Sequence, residues 1–131
     1  MASIRFLSVE DVLAFHADTI AHEGGASGLR DPALLDSAVA MPQATFGGDF
    51  LHSGVPEMAA AYLFHLCQAH AFIDGNKRTA ILSCHAFLDI NGWEFSVSAD
   101  ELFDTVLKIA ASTTTKDQLT LRLPQIIRPR K

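Results

Sequence analysis

The chain has few cysteines, few aromatic residues other than phenylalanine, and no long uninterrupted apolar run. Its 131 residues include two cysteines, one tryptophan and one tyrosine. Two cysteines are too few for the disulfide framework of a small secreted domain, so we expect Cys67 and Cys84 to be reduced core residues. No apolar stretch reaches the roughly 20 residues that a membrane-spanning helix needs. We therefore expect no membrane partner.

Basic charge is also scarce. Ten Lys and Arg residues stand against fifteen Asp and Glu residues, for a formal net charge of −5. A nucleic-acid-binding surface normally shows as a basic patch, so we expect no direct contact with nucleic acid. The one basic cluster lies near the C-terminus and is predicted to be a solvated tail; it comprises Arg122, Arg128, Arg130 and Lys131. No charged start followed by an apolar signal core precedes the first predicted helix, which favours a cytoplasmic protein.

Helical patterning dominates what is present. Hydrophobic residues make up 49% of the chain and charged residues 19%, which is typical of one compact domain spanning residues 1–131. Capping residues, prolines and the Asn91-Gly92 stop signal predict an all-α bundle of about six helices. The predicted helices are roughly 9–23, 32–42, 57–70, 77–90, 98–111 and 116–127. Residues 44–54 lack helical periodicity and are predicted to form a short flap, and residues 24–28 a flexible connector.

The segment 70–78 combines chemistry that a simple corner between helices does not need. His70 ends an apolar helix and has the side chain best suited to take a proton near neutral pH. Asp74 supplies a carboxylate of the kind that holds Mg²⁺ together with substrate phosphates. Phe72 and Ile73 are expected to anchor the loop in the core. These residues predict a proton acceptor and a metal ligand at one corner.

The second half of the segment predicts a phosphate site. Gly75 permits a positive φ and a close approach of backbone to ligand. Asn76 is a good N-cap for the next helix, and its amide could also donate to an oxyanion. Lys77 adds a point charge, and Arg78 a planar fork that grips phosphate through two hydrogen bonds. A helix N-terminus with two cations is suited to bind phosphates.

This run resembles the signature of the Fic/Doc proteins, His-x-Phe-x-Asp/Glu-Gly/Ala-Asn-Gly/Lys-Arg. The matching positions are His70, Phe72, Asp74, Gly75, Asn76 and Arg78. Lys77 departs from the Fic version, which has glycine there, and agrees with the Doc branch of "death on curing" toxins. Ile81 stands where the Fic version has a further arginine. Residues 28–43 also resemble the second helix of Doc-type proteins, so the resemblance extends over nearly the whole chain and implies a Fic-like fold.

The resemblance implies an enzyme that uses ATP and Mg²⁺. The Doc branch implies a toxin-antitoxin kinase that phosphorylates a threonine of elongation factor Tu and arrests translation. The wider Fic family implies AMP transfer to a protein hydroxyl instead. Lys77 and Ile81 favour the kinase, because the first fills the phosphate cradle and the second removes a phosphate contact of the AMP-transfer pose. A catalytically inactive binding module is the remaining alternative, and the complete set of His70, Asp74 and Arg78 counts against it.

The resemblance also implies control by a partner. Many Fic proteins carry an inhibitory helix with a Ser/Thr-x-x-x-Glu-Gly/Asn pattern, whose glutamate pairs with the second arginine. Because Ile81 replaces that arginine, we expect no such segment here and a separate, Phd-like antitoxin. Its C-terminal segment is expected to fold as an amphipathic helix beside the motif. Phe46, Phe50 and His52 are the predicted rim of that groove, or of the target site.

Overall fold

The computed structural model describes residues 3–130, and its architecture is the predicted one of six helices with a short flap. The helices are α1 (Val9–Glu23), α2 (Pro32–Ala40), α3 (Val55–Ala69), α4 (Asn76–Ile90), α5 (Ala99–Ala110) and α6 (Lys116–Arg122). Ser8 caps α1 in a reciprocal capping box, and Asp31 caps α2 ahead of Pro32 at the first helical position. These starts agree with the sequence prediction because each depends on a local signal.

Helix α3 is the centre of the fold. Most of its residues from Met58 to Cys67 are buried, as expected for a helix with apolar residues on nearly every face. The hydroxyl oxygen of Tyr62, which is buried in α3, accepts a hydrogen bond of 2.9 Å from the Leu7 amide. Burial raises the pKa of Tyr62 to about 12. The ring packs against Phe87 of α4, with centroids 4.8 Å apart, so α3 and α4 form one continuous core.

Both cysteines belong to this core. Cys67 and Cys84 are free and buried, as predicted. Burial raises the pKa of both thiols, to about 11 for Cys67. Thiolates are therefore disfavoured at neutral pH, and neither side chain is a ready nucleophile. Within residues 3–130, none of the helices has the length and apolar character needed to cross a membrane.

Two small antiparallel ladders complete the fold. The flap contains β1 (Thr45–Phe46) paired with β2 (Asp49–Phe50), ahead of α3. The second ladder pairs β3 (Trp93–Phe95) with β4 (Ile127–Pro129). A short 3₁₀ turn precedes each of β1 and β4, and the second one, which contains Pro124, ends α6 earlier than predicted.

The C-terminal segment corrects the prediction of a solvated basic tail. Arg128 donates to Glu94 at 2.7 Å across the β3–β4 ladder, and Arg130 pairs with Asp89 at the end of α4. The side chains of Ile126 and Ile127 are buried beneath the ladder. Pairing with β3 satisfies the backbone of this segment, and burial of its two isoleucines holds it in place. Arg122 is likewise paired, with Glu101, while Lys131 lies outside the described residues.

Candidate active site

The motif forms the corner between α3 and α4, with a left-handed residue at each end. His70 follows the last residue of α3 with φ 49°, and its side chain is exposed. Gly75 precedes α4 with φ 78°, which confirms the positive φ expected of this glycine. In the first backbone hydrogen bond of α4, the Thr79 amide donates to the Gly75 carbonyl. The three preceding amides therefore lie at the free N-terminus of α4, where an anion is favoured.

The connector between α1 and α2, predicted to be flexible, is hydrogen-bonded along the motif. The Ile73 amide donates to the Gly28 carbonyl at 3.1 Å, and the Arg30 amide donates to the Ala71 carbonyl at 2.7 Å. The Arg30 side chain also donates from Nε to the His70 carbonyl at 2.7 Å. These hydrogen bonds satisfy backbone groups of the motif loop that have no partner in a helix or a sheet. Arg30 thereby fixes the backbone of His70.

Phe72 anchors the loop, whereas Ile73 does not. Phe72 is buried, as predicted, and stacks on the His16 ring of α1 with centroids 3.8 Å apart and planes 7° apart. The Ile73 side chain is 56% exposed and lies over the connector, where its Cδ1 would be 2.8 Å from a Cβ added at Gly28. Ile73 therefore covers the connector on the outside instead of entering the core.

Asn76 has a different role from the predicted one. Gly75 is the N-cap of α4, and Asn76 is the first helical residue. Its Oδ1 accepts from the Phe72 amide at 3.0 Å, and its Nδ2 donates to the Phe72 carbonyl at 2.9 Å. The side-chain amide thus braces the loop by binding both polar groups of one residue. The backbone amide of Asn76 and the second N–H of its Nδ2 are left for an anion.

Asp74 presents a carboxylate at the surface. Its Oδ2 accepts from the Ala26 amide of the connector at 3.1 Å, and its Oδ1 has no hydrogen-bond partner among residues 3–130. One anchored oxygen and one free oxygen suit a cation that is also held by substrate phosphates, as Mg²⁺ commonly is. Within the described part of the chain, no group of three or more His, Cys, Asp or Glu side chains forms a complete metal site. Asp74 fits Mg²⁺ only as one ligand of a shared site.

Arg78 lies between two side chains that the sequence did not connect with it. Its Nη1 is 3.6 Å from Glu23 Oε1 at the end of α1, and both side chains are half exposed. Its guanidinium carbon lies 5.1 Å from the centre of the Phe103 ring of α5, within cation–π range. Lys77 has no ion-pair partner within residues 3–130, and its charge partly offsets the rise that burial causes in the pKa of the Cys67 thiol.

A cavity of about 210 Å³ opens at the start of α4. Its lining residues are Thr19, Glu23, Gly24, Gly75, Asn76, Lys77, Arg78 and Phe103. The four predicted phosphate-binding residues are therefore brought together, with the end of α1 opposite them. His70 and Asp74 do not line this cavity, so the predicted base and metal ligand lie beside it on the motif loop. Ile81 lines two neighbouring cavities that also reach Arg78.

The end of α1 corrects the expectation that the chain lacks an inhibitory pattern. Residues 19–24 read Thr-Ile-Ala-His-Glu-Gly, which matches Ser/Thr-x-x-x-Glu-Gly/Asn. Its glutamate, Glu23, contacts Arg78 within the motif, since Ile81 offers no charge. The sequence alone does not single out this pattern, because Glu23 and Gly24 are equally typical of an ordinary helix end. A carboxylate of the chain itself therefore stands at the predicted phosphate site.

The flap exposes one phenylalanine fully and buries the histidine that was grouped with it. Phe46 is 83% exposed, whereas Phe50 is partly covered by Phe6, with ring centroids 5.4 Å apart. His52 is buried, at 6% exposure, and burial lowers its pKa. Phe46 and Phe50 can thus form an apolar rim, but His52 lies beneath it.

The corner thus brings together a free helix N-terminus, two cations, a surface carboxylate and an exposed histidine, the features from which the motif predicts a phosphate site. The chain belongs to the Fic/DOC family, whose model matches residues 6–88. It is 39% identical over 121 residues to Toxin Doc of Mycolicibacterium smegmatis, covering 91% of each chain. It is 33% identical over 110 residues to Protein kinase doc of Escherichia phage P1, covering 84% of each. The predicted resemblance to the Doc branch is confirmed.

Proposed function

We propose that this protein is the toxin of a toxin-antitoxin pair and transfers the γ-phosphoryl group of ATP to a protein hydroxyl in the cytoplasm. The observation that carries this proposal is the cavity at the start of α4, where free backbone amides, Lys77 and Arg78 converge. The names of the two relatives, a toxin and a protein kinase, support the same class of activity. The proposed substrate is a threonine of elongation factor Tu.

In this proposal His70 takes the proton of the target hydroxyl, and the hydroxyl oxygen forms a bond to the γ-phosphorus. The bond from that phosphorus to the bridging oxygen breaks, and ADP leaves with the electron pair. Arg78 and the amides of α4 offset the charge on the phosphates. Asp74 would hold Mg²⁺ through its free oxygen, and the ion would supply further neutralisation of phosphate charge. His70 is exposed, so a large protein substrate can reach it.

The alternative is AMP transfer, in which the α-phosphorus is attacked and pyrophosphate leaves. Lys77 and Ile81 favour the kinase. Lys77 lines the cavity with a side chain where glycine would leave space, and Ile81 presents an apolar surface next to Arg78. The second arginine of the Fic pattern is thus absent next to Arg78.

Labelled ATP separates these functions. Elongation factor Tu should be labelled by ATP carrying ³²P at the γ-position and not at the α-position. His70→Ala and Arg78→Ala should abolish labelling, whereas His85→Ala, at an exposed position of α4, should not. Labelling from the α-position alone would establish AMP transfer. No labelling by a folded wild-type protein, in the presence of elongation factor Tu, would leave the binding module as the better description.

We also propose that the antitoxin, of the Phd kind, binds beside the flap through its C-terminal segment. Phe46 is the apolar anchor because it is the most exposed large hydrophobic side chain among residues 3–130. Phe46→Ser should weaken antitoxin binding without unfolding the toxin. Leu121→Ser is the matched control, since Leu121 is 76% exposed on α6. Equal affinity of both variants, measured by calorimetry, would exclude this surface.

A further inference from the structure

His16, outside the motif, makes two contacts with it. The residue lies in the middle of α1, 6% exposed, and its ring stacks on Phe72. Its Nε2 lies 2.8 Å from the Asp74 carbonyl oxygen. We propose that His16 is a positioning residue that sets the Asp74–Gly75 peptide, and through it both the carboxylate of Asp74 and the amides of α4. The consequence for catalysis rests on the proposed function.

The hydrogen bond defines which ring nitrogen carries a proton. A carbonyl oxygen can only accept, so Nε2 of His16 must donate to Asp74. The peptide group is planar, and the Asp74 carbonyl shares its plane with the Gly75 amide. Fixing this oxygen therefore fixes the orientation of the whole unit. That unit lies directly between the Asp74 side chain and the first turn of α4.

The rest of α1 supports the same peptide by packing. A Cβ added at Gly75 would lie 3.3 Å from Ile20 Cδ1, 3.3 Å from Thr19 Cγ2 and 3.6 Å from His16 Cδ2. Gly75 thus packs closely on α1, and a side chain at this position would crowd Ile20 and Thr19. On the other side, the Asp74 carboxylate is held by the connector amide of Ala26. His16 supplies the one hydrogen bond from α1 to this peptide.

Stacking and hydrogen bonding can be separated by substitution. His16→Phe keeps an aromatic ring against Phe72 and loses the N–H donor. His16→Gln loses the ring but keeps an N–H at the same number of bonds from Cβ. If His16 merely fills the core, the phenylalanine variant should behave more like the wild type. If it positions Asp74, the glutamine variant should.

The test uses the full chain and the Mg²⁺ complex of a non-hydrolysable ATP analogue, with affinity measured by calorimetry. His16→Phe should weaken binding by about tenfold or more, the usual scale for loss of a residue that orients a metal ligand. His16→Gln should recover most of that affinity. With EDTA in place of Mg²⁺ the two variants should differ less, because the Asp74 carboxylate then contributes little. Affinity that is lost more in the glutamine variant would overturn the proposal.

Hydrogen exchange separates this inference from the proposed function. In His16→Phe, amides of residues 73–78 should exchange faster than in the wild type, while those of α6 should not change. This result is expected whether or not the wild type binds nucleotide. Failure of the wild type to bind the analogue would count against the proposed function alone. Unchanged exchange in residues 73–78 would overturn the positioning role of His16.

Discussion

Gly75→Ala tests the packing of the motif against α1 with a single methyl group. At φ 78° an L-residue costs roughly 1–2 kcal/mol relative to glycine. The new Cβ would also stand 3.3 Å from both Ile20 Cδ1 and Thr19 Cγ2, closer than most real contacts. Crowding of this kind typically adds 1 kcal/mol or more, for a total loss of about 2–4 kcal/mol in the free energy of unfolding. To relieve this crowding the backbone at residue 75 should move away from α1, which should displace the amides of α4 and weaken nucleotide binding.

Gly92→Ala is the matched control. Gly92 has a similar φ of 83°, but no atom lies within 4 Å of its added Cβ, so it should lose only the roughly 1–2 kcal/mol of backbone strain. At about 4 °C per kcal/mol, thermal melts followed by circular dichroism should separate the two variants clearly. Gly92→Ala should keep its nucleotide affinity. Equal melting temperatures for the two variants would refute the argument that α1 restrains Gly75.

Two further predictions concern charge. Glu23→Gln should free Arg78 and raise nucleotide affinity several-fold, up to about fivefold for an interaction near 1 kcal/mol. Glu10→Gln, at the exposed start of α1, should leave the affinity unchanged. Calorimetry measures both affinities, and equal values would contradict the contact between Glu23 and Arg78. Burial lowers the pKa of His65 from 6.5 to about 4, so stability should be complete above about pH 6.5 and fall as the pH drops toward 4. The loss of unfolding free energy at acid pH should be no more than about 3 kcal/mol after solvent screening. In urea titrations His65→Leu should reduce this loss, while His85→Leu, at an exposed position, should leave it unchanged.

Helix positions could be predicted from the sequence because their signals are local. Ser8 and Asp31 each lie next to the helix they cap, and the apolar pattern of α3 shows that it is buried. The β3–β4 ladder could not be predicted in this way. Its strands are three residues long, and the ion pair between Glu94 and Arg128 joins positions 34 residues apart. A basic segment whose acidic partners are distant in sequence looks solvated until the fold is known.

The candidate site also combines features that could be predicted from local sequence with features that depend on distant residues. The residue types of the motif predicted a phosphate site at the start of α4, and Gly75 has the expected backbone conformation. Asn76 could not be predicted, because a good N-cap residue serves equally well to bind the backbone of the preceding loop. His16 is 58 residues from Asp74, and a lone histidine on a helix gives no sign of its partner. Arg30 was likewise unremarkable in a connector.

The face that α1 turns toward α4 changes character along its length. Its buried residues are Val12, His16 and Thr19, spaced four and three apart on one side of the helix, and Glu23 continues the same side. The face is therefore apolar where α1 meets the core and polar where it meets the motif. The motif corner places a non-glycine residue, His70, in the left-handed region, which costs roughly 1–2 kcal/mol. Such a corner needs support from outside, and α1 with its connector supplies it through His16 and Arg30. The candidate site thus comprises the nine-residue motif together with this face of α1, although the two are far apart in the sequence.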